Sequence, residues 1–333
     1  MKFYCVGMVV LLALFAGVLP VFAADTATPG AADKVIVAPS KADKAMATHV
    51  LDLAHKAQGT VGQESANFIL NGWPHDGVRV LTGETPSTAK GIVWARELVQ
   101  SFIDVLEKVP TWPKPPAIVV PYTEKAPVID GKLDDLAWKN ALVLHGASAL
   151  NTTKQVDNTT WRLMWDEHYL YLGVNCADKE VIAPKLEHNG PIYNYDCVEF
   201  FLLPDFNTRK YWEIEVSATG DLYEAMNTKS PDHWGGQNDL TAHVQGLKYA
   251  TSVQGVANKP GDTTTTGYTV TMAVPFDQLP GAATGAKGAA GMQLHFMLAH
   301  MDKNSGSFTA YAFYPLMSWT HNIWGYATMT LKK

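Results

Sequence analysis

Cysteine is scarce in this chain: three in 333 residues, at positions 5, 176 and 197. That number cannot staple a small disulfide-rich fold, and no Cys/His cluster at zinc-ligand spacing accompanies it. There is no Lys/Arg run, and 26 basic against 32 acidic residues leave a net charge of −6. Binding to nucleic acid rests on clustered cations that neutralise phosphates, so that class of partner is set aside. A C-x-x-C-H haem attachment is missing. GETPSTAKG at 83–91 has the flavour of a phosphate loop, but it breaks the G-x-x-x-x-G-K-[ST] spacing and no parallel-sheet context follows. No serine sits in a nucleophile elbow. No D-x-D-x-D-G loop marks a calcium hand, and no internal repeat is present.

What is there begins with a targeting segment. Lys2 supplies a positive charge, residues 8–19 (MVVLLALFAGVL) form an apolar stretch, and Val21-Phe22-Ala23 fits the small-residue cleavage rule. Residues 1–23 are therefore expected to be a cleaved signal peptide. The competing reading is a retained anchor, since apolar residues run from Phe3 to Ala24. Cleavage leaves no membrane span and places the protein in a secreted, periplasmic or cell-surface setting. In that oxidising environment Cys176 and Cys197, both at predicted strand ends, are either a disulfide or two buried unpaired thiols.

Residues 24–40, rich in Ala, Thr, Pro and Asp, are expected to form a flexible tether. A helical N-terminal region is predicted over 41–110. Met46, Val50, Leu53, Ala54 and Ala57 recur at helical spacing in one segment. Ile92, Val93, Leu98, Val99, Phe102, Ile103 and Leu106 form a stripe in another, with Ser87 as its N-cap. GWPHDGVRVLTGETP between them reads as loop or short hairpin. TWPKPP at 111–116 is a stiff proline-rich linker. From 117 onward the texture changes to short β segments with Gly, Asn, Asp and Pro punctuation, including 127–130, 159–165, 169–176, 197–203, 210–217, 241–250 and 267–275. The fold class is mainly β, a two-sheet antiparallel sandwich of the immunoglobulin or jelly-roll kind, with the small α-helical region before it.

Two segments go further. APVIDGKLDDLAWKNA at 126–141 reads as a short strand, a tight Asp130-Gly131 turn and a half-turn that returns Trp138 to a core. WDEHYLYLGVNCAD at 165–178 reads as an aromatic strand entered through the polar turn Asp166-Glu167-His168. Together they resemble the opening of carbohydrate-binding modules of family 9, relatives of the DOMON sandwiches. YDCVEFFLLPD at 195–205, YWEIEVSATGDLYEA at 211–225, GYTVTMAVPFDQL at 267–279 and SWTHNIWGYATMTL near the C-terminus resemble later pieces of the same family, in order, across residues 117–333. The N-terminal third carries no part of the resemblance.

The resemblance implies a sugar held between two aromatic side chains, with carboxylate, amide and Arg groups at its edges. Aromatic faces suit the C–H faces of a sugar ring and fixed polar groups suit its hydroxyls. Trp319, in the polar loop Ser318–Asn322, matches the family's late Trp. Tyr193, or its neighbour Tyr195, stands where the family commonly has the other Trp. Strand parity puts Glu199 on an otherwise apolar face with Cys197, Phe201 and Leu203, where it either partners a hydroxyl or metal or is a solvated outer-face acid. Glu213 and Glu215 alternate with Trp212, Ile214 and Val216, the pattern of a sheet wet on one side. Trp234 lies in the Gly-rich loop PDHWGGQND, which lines a site or serves as an ordinary connection. Arg162 and Arg209 are edge-Arg candidates by neighbourhood only, and structural Ca²⁺ is implied by the family alone.

The expected function is an exported carbohydrate-binding protein or accessory module for polysaccharide recognition and catabolism. Its partner is a polysaccharide or oligosaccharide, and the helical region offers a surface to a protein partner. The rival reading is a glycoside hydrolase drawing on Asp196, Glu199, Glu213 and Glu215. A second rival is haem held by His295, Met297, His300 or Met301.

Overall fold

The computed structural model describes residues 35–230 and 236–333. The signal segment, most of the tether and Trp234 lie outside the described residues. Two compact units divide the chain between Trp112 and Pro113.

The first unit contains β1 (Ile36–Val37), α1 (Lys41–Ala57), α2 (Gln63–Asn71), α3 (His75–Thr82), β2 (Ser87–Thr88) and α4 (Ala89–Leu106), with β1 paired to β2. Ser40 starts α1 through a capping box: its Oγ accepts from Asp43 N–H, and the Asp43 carboxylate accepts from Ser40 N–H at 2.7 Å. Arg96 of α4 donates to both oxygens of Asp43, at 2.5 and 3.0 Å, and so ties the first turn of α1 to α4. That guanidinium, aided by Ser40, holds the Asp43 carboxyl well below the usual carboxylate range although burial opposes it. Val50 and Ala54 of α1, Ile69 of α2, Val78 and Leu81 of α3 and Val99 of α4 close a separate apolar core.

The segment expected to be loop or hairpin is thus mainly helix. Pro74 precedes the first turn of α3, where a missing N–H costs nothing, and Gly83 ends it at φ 89°. Gly77 is tolerated inside α3 because a Cβ there would stand 3.1 Å from Leu98 Cδ2; its absence lets the two helices approach. The N-cap of α4 is Thr88, which accepts from Gly91 N–H, and not Ser87.

The second unit is the sandwich. Its strands are β3 (Ala117–Pro121), β4 (Leu142–Ala149), β5 (Gln155–Trp165), β6 (Tyr169–Ala177), β7 (Cys197–Leu203), β8 (Lys210–Ser217), β9 (Leu222–Lys229), β10 (Gly236–Asp239), β11 (Lys248–Gln254), β12 (Gly267–Pro275), β13 (Gln293–Asn304), β14 (Ser307–Ala312) and β15 (Ala327–Lys332). One sheet runs β10-β9-β8-β7-β13-β15-β3 and the other β4-β5-β6-β12-β11. All pairs are antiparallel except β15 with β3. The long β13 joins the layers: Gln293–Phe296 pair with β15, while Ala299–Asn304 pair with β14, which crosses to β4. A bridge from Tyr122 to Trp165 closes the opposite side. Trp161, Leu163, Leu172, Val174, Phe200, Leu202, Ile214, Val270, Phe296 and Leu298 fill the space between the sheets.

The differences from expectation are local. Residues 127–130 form no strand, β11 begins at Lys248, and β4 and β10 were not foreseen. The IDG turn instead fastens the chain to the outer face of the second sheet. Asp130 Oδ1 accepts from Lys132 N–H, and Gly131 N–H donates to Thr271 Oγ1 at 2.9 Å. The following 3-10 turn, Leu136–Asn140, buries Trp138 against Met164, Tyr171 and Ala273 on that outer face. The turn between β5 and β6 is built on Asp166, which accepts from His168 and Tyr169 N–H and from the Tyr171 hydroxyl.

Gly131 sits at φ 80°, and a Cβ on it would meet the Thr251 carbonyl carbon at 2.4 Å. Gly281 has a similar φ of 82° with nothing within 4 Å. Gly131→Ala should therefore cost more than Gly281→Ala, which pays only the left-handed penalty of about 1–2 kcal/mol. Urea unfolding of the two variants checks this; equal losses would mean that the IDG turn is not packed as described.

Candidate functional site

The outer face of the first sheet is chemically unlike that of the second. Alternation along β7, β8 and β9 points Val198, Phe200, Ile214 and Val216 into the core and turns Glu199, Glu213, Glu215, Tyr223 and Asn227 outward. Register sets Glu199 directly opposite Glu215, and Phe201 opposite Glu213. These outward acids are not solvated: Glu199, Glu213 and Glu215 are 2%, 5% and 0% exposed. The one-side-wet reading of Glu213 and Glu215 is corrected here. Loops roof this face, so alternation reports which side a residue takes but not whether that side is covered.

The roof is the segment between β14 and β15. Ser318 sits at φ 77°, its N–H donating to Asn151 Oδ1 at 2.6 Å while its carbonyl accepts from Asn151 Nδ2 at 3.0 Å. This two-way clamp aims Trp319 and His321 at the sheet. His321 Nε2 lies 3.1 Å from Glu213 Oε1, and its Nδ1 lies 2.8 Å from the Tyr211 hydroxyl. Glu213 Oε2 accepts from Asn227 Nδ2 at 2.8 Å. The Trp319 ring lies 4.7 Å from the His321 ring, and Lys229 Nζ stands 5.0 Å from the Trp319 ring centroid. On the other side the 3-10 turn Ile192–Asn194 carries Tyr193, 42% exposed, whose ring meets Tyr223 edge-on at 5.8 Å. Asn238 of β10 donates to the Tyr223 hydroxyl at 3.0 Å.

The three acids divide by environment. Burial raises Glu213, but the charge and hydrogen bond of His321, with Asn227, outweigh it and the net direction is down. Glu199 and Glu215 go well up, first from burial and then from neighbouring carboxylates. Glu199 Oε2 has no hydrogen-bond partner among the described residues, whereas the Glu215 carboxyl shares a hydrogen bond with Glu213 that raises Glu215 and lowers Glu213. Glu213 thus favours its anion, while Glu199 and Glu215 favour the protonated form, and all three face the same space.

The structure thus brings Trp319, Tyr193 and Glu199 to one face. Tyr195 ends the 3-10 turn, donating its N–H to the Ile192 carbonyl. Of the two arginines, Arg209 donates to the Lys229 carbonyl at this face, whereas Arg162 belongs to the second sheet. Sequence reasoning missed Lys229, Asn227 and Tyr211, whose signal is only their place in register with the acids. Cys176 and Cys197 are free, buried thiols. Cys176 packs in the core between the sheets and Cys197 with Ile192 and Tyr223 on the outer face, so the disulfide alternative is not formed. His295 and His300 fall on opposite faces of β13, so the two histidines do not converge on one site.

Residues 129–329 match the family model described as "Carbohydrate family 9 binding domain-like". The chain belongs to this family. A Bacteroides uniformis protein described as a candidate carbohydrate-binding protein is 14% identical, with 66% of this chain and 100% of that one covered at a TM-score of 0.54, and it shares the fold. Carbohydrate-binding modules of family 9 from Caldicellulosiruptor kristjanssonii, solved with cellotriose and with glucose, are 20% and 18% identical. Each covers 65% of this chain at a TM-score of 0.43, over 93% and 95% of its own length. No curated protein matches. The family 9 match begins at the IDG turn and leaves out the helical unit.

The buried acids predict a pH dependence. Glu199 and Glu215 have folded pKa values raised above the unfolded value, so they favour folding fully below about pH 4.5 and lose that contribution as pH climbs toward their folded values. Stability should fall from about pH 4.5 upward, and Glu215→Gln should flatten the fall and raise stability at pH 8. Denaturant titrations across that range check this; an unchanged slope in the variant would place Glu215 in water.

Proposed function

We propose that the face formed by β7, β8 and β9 binds a sugar, with Trp319 as the stacking platform and Tyr193 as the second aromatic. Family membership supports carbohydrate binding, and one observation carries the location: an aromatic roof over buried acids, of which Glu199 keeps an oxygen without a partner among the described residues. A sugar presents C–H faces to Trp319 and hydroxyls to Glu199, Glu213 and Glu215. Hydroxyl donors then satisfy acceptors that are costly to leave buried and unpaired. Glu213 is held ionised by His321 and makes the stronger, charge-assisted bond. Tyr193 gives less stacking area than a Trp, so affinity per site is modest.

We further read the protein as exported, on the strength of Lys2, the apolar 8–19 stretch and Val21-Phe22-Ala23. It then serves polysaccharide recognition outside the cytoplasm. No described helix is long and apolar enough to cross a membrane. A second reading draws on the opposite pKa directions of Glu213 and its neighbours, the division of labour a glycoside hydrolase uses. Release of reducing sugar by the full chain, abolished in Glu213→Gln, would favour it over binding alone.

Calorimetry with a panel of glucose, cello-oligosaccharides and other oligosaccharides tests the binding site. Trp319→Ala and Tyr193→Ala should each weaken the responding sugar about tenfold, roughly 1.4 kcal/mol, without changing the fold. Unchanged affinity in Trp319→Ala would remove the site from this face.

The structural Ca²⁺ implied by the family finds oxygen donors at Asp178, Asp196 and Asp302, whose ligand atoms lie within 4.8 Å of one another. Asp178 Oδ2 has no partner among the described residues, and burial pushes Asp196 up to about 8, though Ile182 and Lys303 N–H donate to it. A hard cation bound there would favour the ionised form of these carboxyls. Saturating Ca²⁺ should raise Tm by roughly 5 °C or more, and Asp178→Asn should cancel the rise. A Tm indifferent to Ca²⁺ and to chelator would refute the site.

A further inference from the structure

On the core side of β9, facing away from the carboxylate site, lies a second group of ligands. Glu224 is 4% exposed and alternates with Tyr223, which faces the carboxylate site. Its Oε1 lies 3.0 Å from His243 Nδ1 and 3.5 Å from His188 Nε2. One ligand atom from each of the three residues falls within a mutual 4.8 Å. Both imidazoles are about half exposed, at 47% and 46%, so the group opens to solvent.

We propose that His188, Glu224 and His243 bind a divalent transition-metal ion, with Zn²⁺ the expected occupant. Tetrahedral zinc with bonds of about 2.0–2.1 Å separates its ligand atoms by about 3.3 Å. The two measured separations bracket that spacing, so small side-chain shifts would seat the ion. Two imidazole nitrogens and one carboxylate oxygen suit a first-row metal and not Ca²⁺, whose sites are built from oxygen alone. Three protein ligands leave a fourth position for water on the exposed side.

The surroundings hold these ligands in place. Glu224 Oε2 accepts from Val244 N–H at 2.8 Å, which fixes the carboxylate and leaves Oε1 toward the histidines. Asn189, next to His188 and at φ 60°, binds three partners. Its N–H donates to the Leu222 carbonyl at 3.0 Å, its Oδ1 accepts from Glu224 N–H at 2.8 Å, and its Nδ2 donates to the Leu240 carbonyl at 3.1 Å. One residue thus fastens the loop bearing His188, the strand bearing Glu224 and the loop bearing His243. The His188 and His243 rings approach to 5.4 Å between centroids. The ion would pin both loops to β9.

The test uses the full chain without a polyhistidine tag, first treated with chelator. Co²⁺ should bind in one equivalent with the intense visible absorption of a low-coordinate site, and Zn²⁺ should displace it. His188→Ala and His243→Ala each remove a ligand from an exposed loop, and should weaken Zn²⁺ by about a hundredfold or more by calorimetry. In chelator their melting temperatures should match the parent chain, and sugar binding should persist in both, which separates this site from the carboxylate face. Absence of Co²⁺ or Zn²⁺ uptake at micromolar concentration would overturn the proposal. So would uptake unchanged in the double variant.

Discussion

One imidazole organises the outer face of the first sheet. His321 spans Glu213 and Tyr211 from the loop between β14 and β15, and in doing so it sets both the charge and the shape of that face. Glu199 and Glu215 are cross-strand neighbours with oxygens within 4.8 Å. At that separation two ionised carboxylates repel by about 3–4 kcal/mol even at an effective dielectric of 20. That repulsion is relieved when one of the pair takes up a proton, and burial raises both carboxyls further. Glu213 escapes because the imidazole and Asn227 favour its anion. The same contact pulls Trp319 down beside His321, so the aromatic platform and the anionic acceptor share one anchor.

The two outer faces of the sandwich show how one scaffold separates stability from chemistry. On the second sheet the segment 126–141 lays Trp138 over Met164, Tyr171 and Ala273, an apolar seal that needs no polar partners. On the first sheet a loop and a 3-10 turn cover acids instead, and some of their oxygens stay without protein donors. A fold optimised only for stability would not keep such groups buried, since each costs on the order of 1–3 kcal/mol. Their retention fits a face that is completed by a ligand rich in hydroxyls.

Much of the sandwich was legible because framework residues obey short-range rules. The faces of β7, the bounds of β12, the Asp166 turn and the IDG turn follow from parity, strand composition and turn chemistry, and their positions agree with the structure. Trp319 and Tyr193 could be singled out only through the family resemblance. The burial of Glu213 and Glu215 was not legible, because alternation is silent about a roof supplied from more than a hundred residues away by His321. The same holds for His188, Glu224 and His243: three unremarkable residues become neighbours through the clasp of Asn189 and the Val244 N–H bond to Glu224. The helix at His75–Thr82 was hidden by its glycines, whose role is close packing and termination.

The central claim is the place at which sugar binds, and a crystal structure with a bound oligosaccharide addresses it directly. The account predicts a sugar ring stacked on Trp319, with hydroxyls within hydrogen-bond distance of Glu213 and of Glu199 or Glu215. A sugar lodged instead on the second sheet, for example in the depression lined by Pro127, Tyr171, Lys248 and Tyr249, would contradict it.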